Sequence, residues 1–155
     1  MRIKAIIFDK DGTLIDFDAF WVTVSIRALS AILKKLNRKD IPVGEFLAAF
    51  GVKDGVTDID GILCKGTYEQ MAEICREILS RYGCTVAPER MLALVLETYN
   101  ESARCCDVTP ACSDIRGVLQ KLKKSGVRLL VVTTDNTEIT VEEMRSHPSL
   151  ALPRR

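Results

Sequence analysis

Histidine is nearly missing from this chain, with His147 as its single example. None of the six cysteines (Cys64, Cys75, Cys84, Cys105, Cys106 and Cys112) forms a Cys-x-x-Cys pair. A structural zinc site draws on such pairs at short spacing, so no zinc is expected. An excess of charge is also lacking. The 22 basic and 21 acidic side chains leave a net charge of +1, without the basic stripe of a nucleic-acid or membrane-surface binder. A small anionic substrate is not excluded, because one site needs only one or two local cations. No apolar run approaches the roughly 18 residues of a membrane span. The run Ala5–Phe8 near the start is too short for the core of a secretory signal. These absences predict a cytoplasmic protein with free thiols in a reducing compartment.

The 155 residues are 47% hydrophobic and 28% charged, a globular balance that suits one domain or a small core with an insertion. Residues 3–8 (Ile-Lys-Ala-Ile-Ile-Phe) are short, Ile-rich and bounded by polar residues, which predicts a buried strand. Phe17, Phe20, Trp21, Val24, Ala28, Ile32 and Leu36 recur at helical spacing over residues 17–36. A short helix is expected over 43–50. Residues 52–61 carry turn signals and predict a loop. Thr67 and Gln70 make a capping-box pattern before a helix over 68–82. Pro88 suits the first turn of another, running to Arg104. A last helix is expected over 114–125, with Ser113 as its cap and Gly126 at its end. Val127-Arg-Leu-Leu-Val-Val-Thr133 is the strongest strand signal in the chain. The pattern predicts an α/β fold with a parallel-sheet, Rossmann-like core from residues 1–15 and 109–155. An all-helical insertion would fill 16–108.

Both strands end in reactive polar residues, and open α/β sheets bind ligands beyond the carboxyl ends of their strands. The first delivers Asp9 and Asp11; the second delivers Thr133 and Thr134. A carboxylate is a competent nucleophile toward phosphorus. Its charge repels a phosphate dianion, so a hard divalent cation such as Mg²⁺ is needed between them. A second carboxylate can protonate the leaving oxygen and then deprotonate water. The Thr hydroxyl and the backbone amides after Asp9, including that of Gly12, suit phosphoryl oxygens. Asp-x-Asp-Gly also matches part of a calcium loop, but Leu14 and Ile15 interrupt that pattern. Asp58-Ile-Asp60-Gly61 repeats the form without a buried strand before it and reads as a turn. Lys53 and Lys65 read as surface lysines, Trp21 and Cys75 as core. Lys10, between the two acids, receives no interpretation, and neither does His147.

Ile6-Ile-Phe-Asp9-Lys-Asp11-Gly-Thr-Leu14 resembles the first motif of the haloacid dehalogenase superfamily, and Leu129-Leu-Val-Val-Thr133 resembles the second. The resemblance covers residues 1 to about 140. It implies a phosphoric-monoester hydrolase acting on a small phosphorylated metabolite through an aspartyl phosphate. Asp9 would be nucleophile and Mg²⁺ ligand. Asp11 would be general acid/base, with its carbonyl also on Mg²⁺. Gly12, Thr133 and Thr134 would hold the phosphoryl group. The helical insertion is similar to the substrate-selecting cap of the phosphoglycolate-phosphatase and phosphoglucomutase-like branch. An acid at Asp11 favours a phosphatase, or less often a mutase.

The same resemblance calls for a Lys or Arg and then a strand with an acidic pair after the second motif. Glu142-Glu143 sits in a polar, helical-looking stretch, and Arg145, Arg154 and Arg155 lack the family context. The expectation is a truncated chain, or a change of frame near Arg145, with exposed sheet edges that favour a homo-oligomer. A catalytically impaired fragment therefore stands as the alternative to a phosphatase.

Overall fold

The computed structural model describes residues 3–133. In chain order the elements are β1 (Ala5–Asp9), α1 (Thr23–Lys35), α2 (Val43–Ala49), β2 (Val52–Lys53), β3 (Val56–Thr57), α3 (Ile62–Lys65), α4 (Tyr68–Arg81), α5 (Pro88–Arg104), α6 (Ile115–Lys124) and β4 (Arg128–Val132). They divide into two compact units. One takes in the described residues up to Phe20 and those from Asp107 onward; the other is Trp21–Cys106.

The first unit is α/β. β1 and β4 pair in parallel, with Ala5 opposite Arg128, Ile7 opposite Leu130 and Asp9 opposite Val132. The connection returns through α6, which packs on β4, as a parallel pair requires a crossover. Ile115 and Leu119 are the buried residues of α6. Asp114, rather than Ser113, occupies the cap position of α6, and its side chain makes no capping hydrogen bond. Ile7 and Val132 are 65% and 60% exposed, so one face of the strand pair is open to solvent.

The second unit is built on α1, α4 and α5, with α1 and α4 both packed against α5. Val24, Ala28, Leu29 and Ile32 from α1, Cys75 and Leu79 from α4, and Met91 and Val95 from α5 form its core. The spacing of these residues at three and four positions explains why the three segments are helical. The Thr67 capping box is formed: Gln70 N–H donates to Thr67 Oγ1 at 3.3 Å, and Thr67 N–H donates to Gln70 Oε1 at 2.9 Å.

Besides the cap of α6 and the strand over 3–8, expected to be buried but open to solvent on one face, two segments differ from expectation. One helix is expected over 17–36, whereas a π-helical turn at Asp18–Val22 precedes α1. Phe20, Trp21 and Val22 are each buried. A loop is expected over 52–61, whereas β2 and β3 form a small antiparallel hairpin. Its turn is Asp54-Gly55, with φ of 52° and 80°, the double positive φ of the hairpin turn that Asp-Gly favours.

Tyr99 on α5 is almost wholly buried, and burial raises its hydroxyl pKa well above the ordinary value. Ser25 is its polar neighbour and partly offsets the effect of burial, but among the described residues neither hydroxyl oxygen makes a well-formed hydrogen bond. An unpaired buried hydroxyl costs about 1–3 kcal/mol. Tyr99→Phe is therefore expected to stabilise the protein by about 1 kcal/mol, read as a rise in the thermal midpoint. A lowered midpoint would show that the hydroxyl has a bound partner.

Candidate functional site

The parallel register sets the geometry. Asp9 is the last residue of β1 and lies opposite Val132, the last residue of β4; Thr133 follows directly. Neighbouring strands run about 4.8 Å apart, so Asp9 and Thr133 share one end of the sheet. It is the carboxyl end, where α/β sheets place their chemistry. Asp9 is exposed and Thr133 half-buried. Thr134 lies outside the described residues, as do Glu142, Glu143, Arg145, His147, Arg154 and Arg155.

The segment after Asp9 is tightly wound. The N–H groups of Thr13, Leu14 and Ile15 donate to the Lys10 carbonyl at 3.3, 2.9 and 3.1 Å. Gly12 N–H returns to the Ile15 carbonyl at 2.8 Å, and Asp11 bridges to Ile15. This path needs φ of 78° at Gly12, a region that side-chain-bearing residues avoid. Leu14 and Ile15 are buried. Two backbone bonds tie the segment to residues far along the chain: Asp16 N–H to the Thr109 carbonyl at 2.8 Å and Ala111 N–H to the Leu14 carbonyl at 3.0 Å. A solvated turn would bury no Leu or Ile and need no such anchors.

Lys10 is the residue that sequence reasoning missed. Its side chain is fully buried, with Nζ 3.2 Å from Asp11 Oδ2 and 5.8 Å from the centre of the Phe20 ring. Asp11 retains 18% side-chain exposure. A signal for Lys10 was present in the alternation of β1. Ala5, Ile7 and Asp9 face solvent, while Ile6 and Phe8 are half-buried. Lys10 continues that inward series, since every second residue of a strand shares a face.

The second unit holds the other residues considered. Lys53 is exposed on the hairpin, and Lys65 is exposed and paired with Asp60. Asp58-Ile-Asp60-Gly61 is a turn, in which Asp60 N–H donates to Asp58 Oδ1 at 2.9 Å. Trp21 is buried. The Cys75 thiol is pushed up to about 12 by burial, which keeps it protonated and unreactive at neutral pH.

Among the described residues no group of three or more His, Cys, Asp or Glu side chains is arranged to hold a metal. A cage of that kind suits zinc or calcium. Mg²⁺ needs only one or two carboxylates with phosphate and water oxygens, and Asp9 offers one exposed carboxylate at the strand end. A groove of about 450 Å³ lined by Ala5, Lys123, Gly126 and Arg128 opens at the amino ends of the strands. It is at the opposite end from Asp9. No described helix is long and apolar enough to cross a membrane.

No curated protein and no solved structure matches the chain. The profile of the haloacid dehalogenase-like hydrolases matches residues 3–147, a span that takes in both strands, the wound segment after Asp9 and the whole helical unit. With Asp9 and Thr133 brought to one end of a parallel strand pair, and the match running through nearly the entire sequence, the chain belongs to the haloacid dehalogenase-like hydrolase family.

Proposed function

We propose that this hydrolase cleaves the phosphate monoester of a small metabolite through a phosphorylated Asp9. The observation that carries the reading is the placement of an exposed Asp9 carboxylate at the carboxyl end of β1, in register with the strand that leads into Thr133. In the first step a carboxylate oxygen of Asp9 attacks phosphorus, the bond from phosphorus to the ester oxygen breaks, and Asp11 gives its proton to the departing alkoxide. In the second step Asp11 takes a proton from water, whose oxygen attacks phosphorus. The acyl-phosphate bond breaks, which releases phosphate and restores Asp9. Thr133 holds the phosphoryl oxygens as charge develops on them; the Gly12 amide, expected to share that role, is instead given to the Ile15 carbonyl at 2.8 Å. Mg²⁺, held by Asp9 and the Asp11 carbonyl, would offset the repulsion between carboxylate and phosphate.

The unit Trp21–Cys106 is inserted in the sequence between the two parts of the α/β unit. We assign it the role of a cap that selects the substrate, of the phosphoglycolate-phosphatase-like kind. The test is hydrolysis of p-nitrophenyl phosphate with and without Mg²⁺. Activity is expected to fall to background when EDTA removes the metal and to return when Mg²⁺ is restored. Equal rates in the two conditions would sink the metal-assisted reading. An absence of turnover in both would favour a catalytically impaired chain.

A further inference from the structure

Fully buried lysines are rare, because an ammonium leaves water only at a large desolvation cost unless it is paired. Lys10 is 0% exposed. If its role were only to fill space, a methionine of similar length would serve without that cost. Its ammonium instead lies 3.2 Å from Oδ2 of Asp11 and over the Phe20 ring at 5.8 Å. Its own backbone carbonyl is the point on which the N–H groups of Thr13, Leu14 and Ile15 converge. One residue therefore ties down both the loop that carries Asp11 and the Asp11 carboxylate.

We propose that Lys10 is a positioning residue. Its buried ammonium donates a hydrogen bond to Oδ2 of Asp11 and fixes the rotation of that carboxylate, so that the second oxygen exchanges the proton with the leaving group and with water. Lys10 transfers no proton and touches no substrate; it acts through Asp11. The inference rests on the acid/base role proposed for Asp11.

The test separates orientation of the acid from general damage. An alkyl phosphate needs its leaving oxygen protonated; p-nitrophenyl phosphate, with an acidic leaving group, needs this far less. For Lys10→Met, kcat/KM on a simple alkyl phosphate is expected to fall about tenfold or more, and on p-nitrophenyl phosphate by less than about threefold. Lys10→Arg, which keeps a cation, is expected to hold the ratio between the two substrates near that of the unchanged protein. An equal fall on both substrates would overturn the proposal, because a collapsed loop or a lost charge on the phosphoryl group affects both alike.

A second measurement needs no change at Lys10 and no turnover. In ¹⁵N-lysine-labelled protein, one ammonium resonance is expected to be protected from solvent exchange and to shift in Asp11→Asn. Absence of such a resonance, or no response to Asp11→Asn, would overturn the contact itself. If the resonance behaves as expected but the unchanged protein hydrolyses neither substrate, the phosphatase reading has failed and the catalytic role of Lys10 falls with it.

Discussion

Asp9→Asn is expected to lower Mg²⁺-dependent hydrolysis of p-nitrophenyl phosphate by at least about 10⁴-fold, the scale of loss when a covalent nucleophile is removed. The amide is close in shape to the carboxylate but cannot form an acyl phosphate. Asp9 is exposed and ends β1, so the exchange disturbs no packing. The thermal midpoint is expected to stay within a degree or two of the unchanged protein. The phosphoenzyme offers a second readout. A hydroxylamine-sensitive phosphate should be trapped on the unchanged chain and not on Asp9→Asn. Retention of more than a tenth of the activity in the variant would exclude Asp9 as the nucleophile.

Asp11→Asn is expected to behave differently in two respects. Turnover should fall about 10²–10³-fold, the usual contribution of a positioned acid/base. The first turnover on p-nitrophenyl phosphate should survive, because nitrophenolate leaves without a proton. Water then has no base to receive its proton, so phosphorylated Asp9 accumulates. Rapid-quench kinetics would show a burst of nitrophenolate close to one equivalent, followed by a slow phase. Stability should also drop, by about 1–3 kcal/mol, because the buried ammonium of Lys10 loses its carboxylate. The pair of variants makes the assignment sharp: Asp9→Asn costs activity alone, and Asp11→Asn costs activity and stability together. A burst-free Asp11→Asn with unchanged stability would contradict both the acid/base role and the ion pair.

Much of the architecture was legible because local signals and burial agree. Pro88 opens α5 and Arg104 closes it, and the periodic run Met91, Val95, Tyr99 faces the core. The Thr67–Gln70 capping box forms as its residue types predict. The two strands were visible as short Ile- and Val-rich runs, and their parallel pairing brings Asp9 and Thr133 to one end of the sheet. Other features were hidden for physical reasons. β2 and β3 are two residues each, too short for alternation to show, so residues 52–61 read as a loop. The π-helical turn at Asp18–Val22 has the same apolar residues as a regular helix, so periodicity alone does not distinguish it. Lys10 was passed over because a charged side chain is read as solvated by default. Its burial follows from strand phase and from Asp11 beside it, and only the former is visible in sequence.

The pairing of β1 with β4 joins chain segments that lie on either side of all of Trp21–Cys106. The helical unit can close on neighbours in its own stretch of chain, whereas β1 must wait for a strand that emerges from the ribosome much later. Contacts of such long sequence separation form slowly, because the loop entropy is lost before the pairing is gained. A nascent chain stalled just short of Arg128 should therefore present folded helices and an orphaned Asp9, whose neighbouring strand is not yet made.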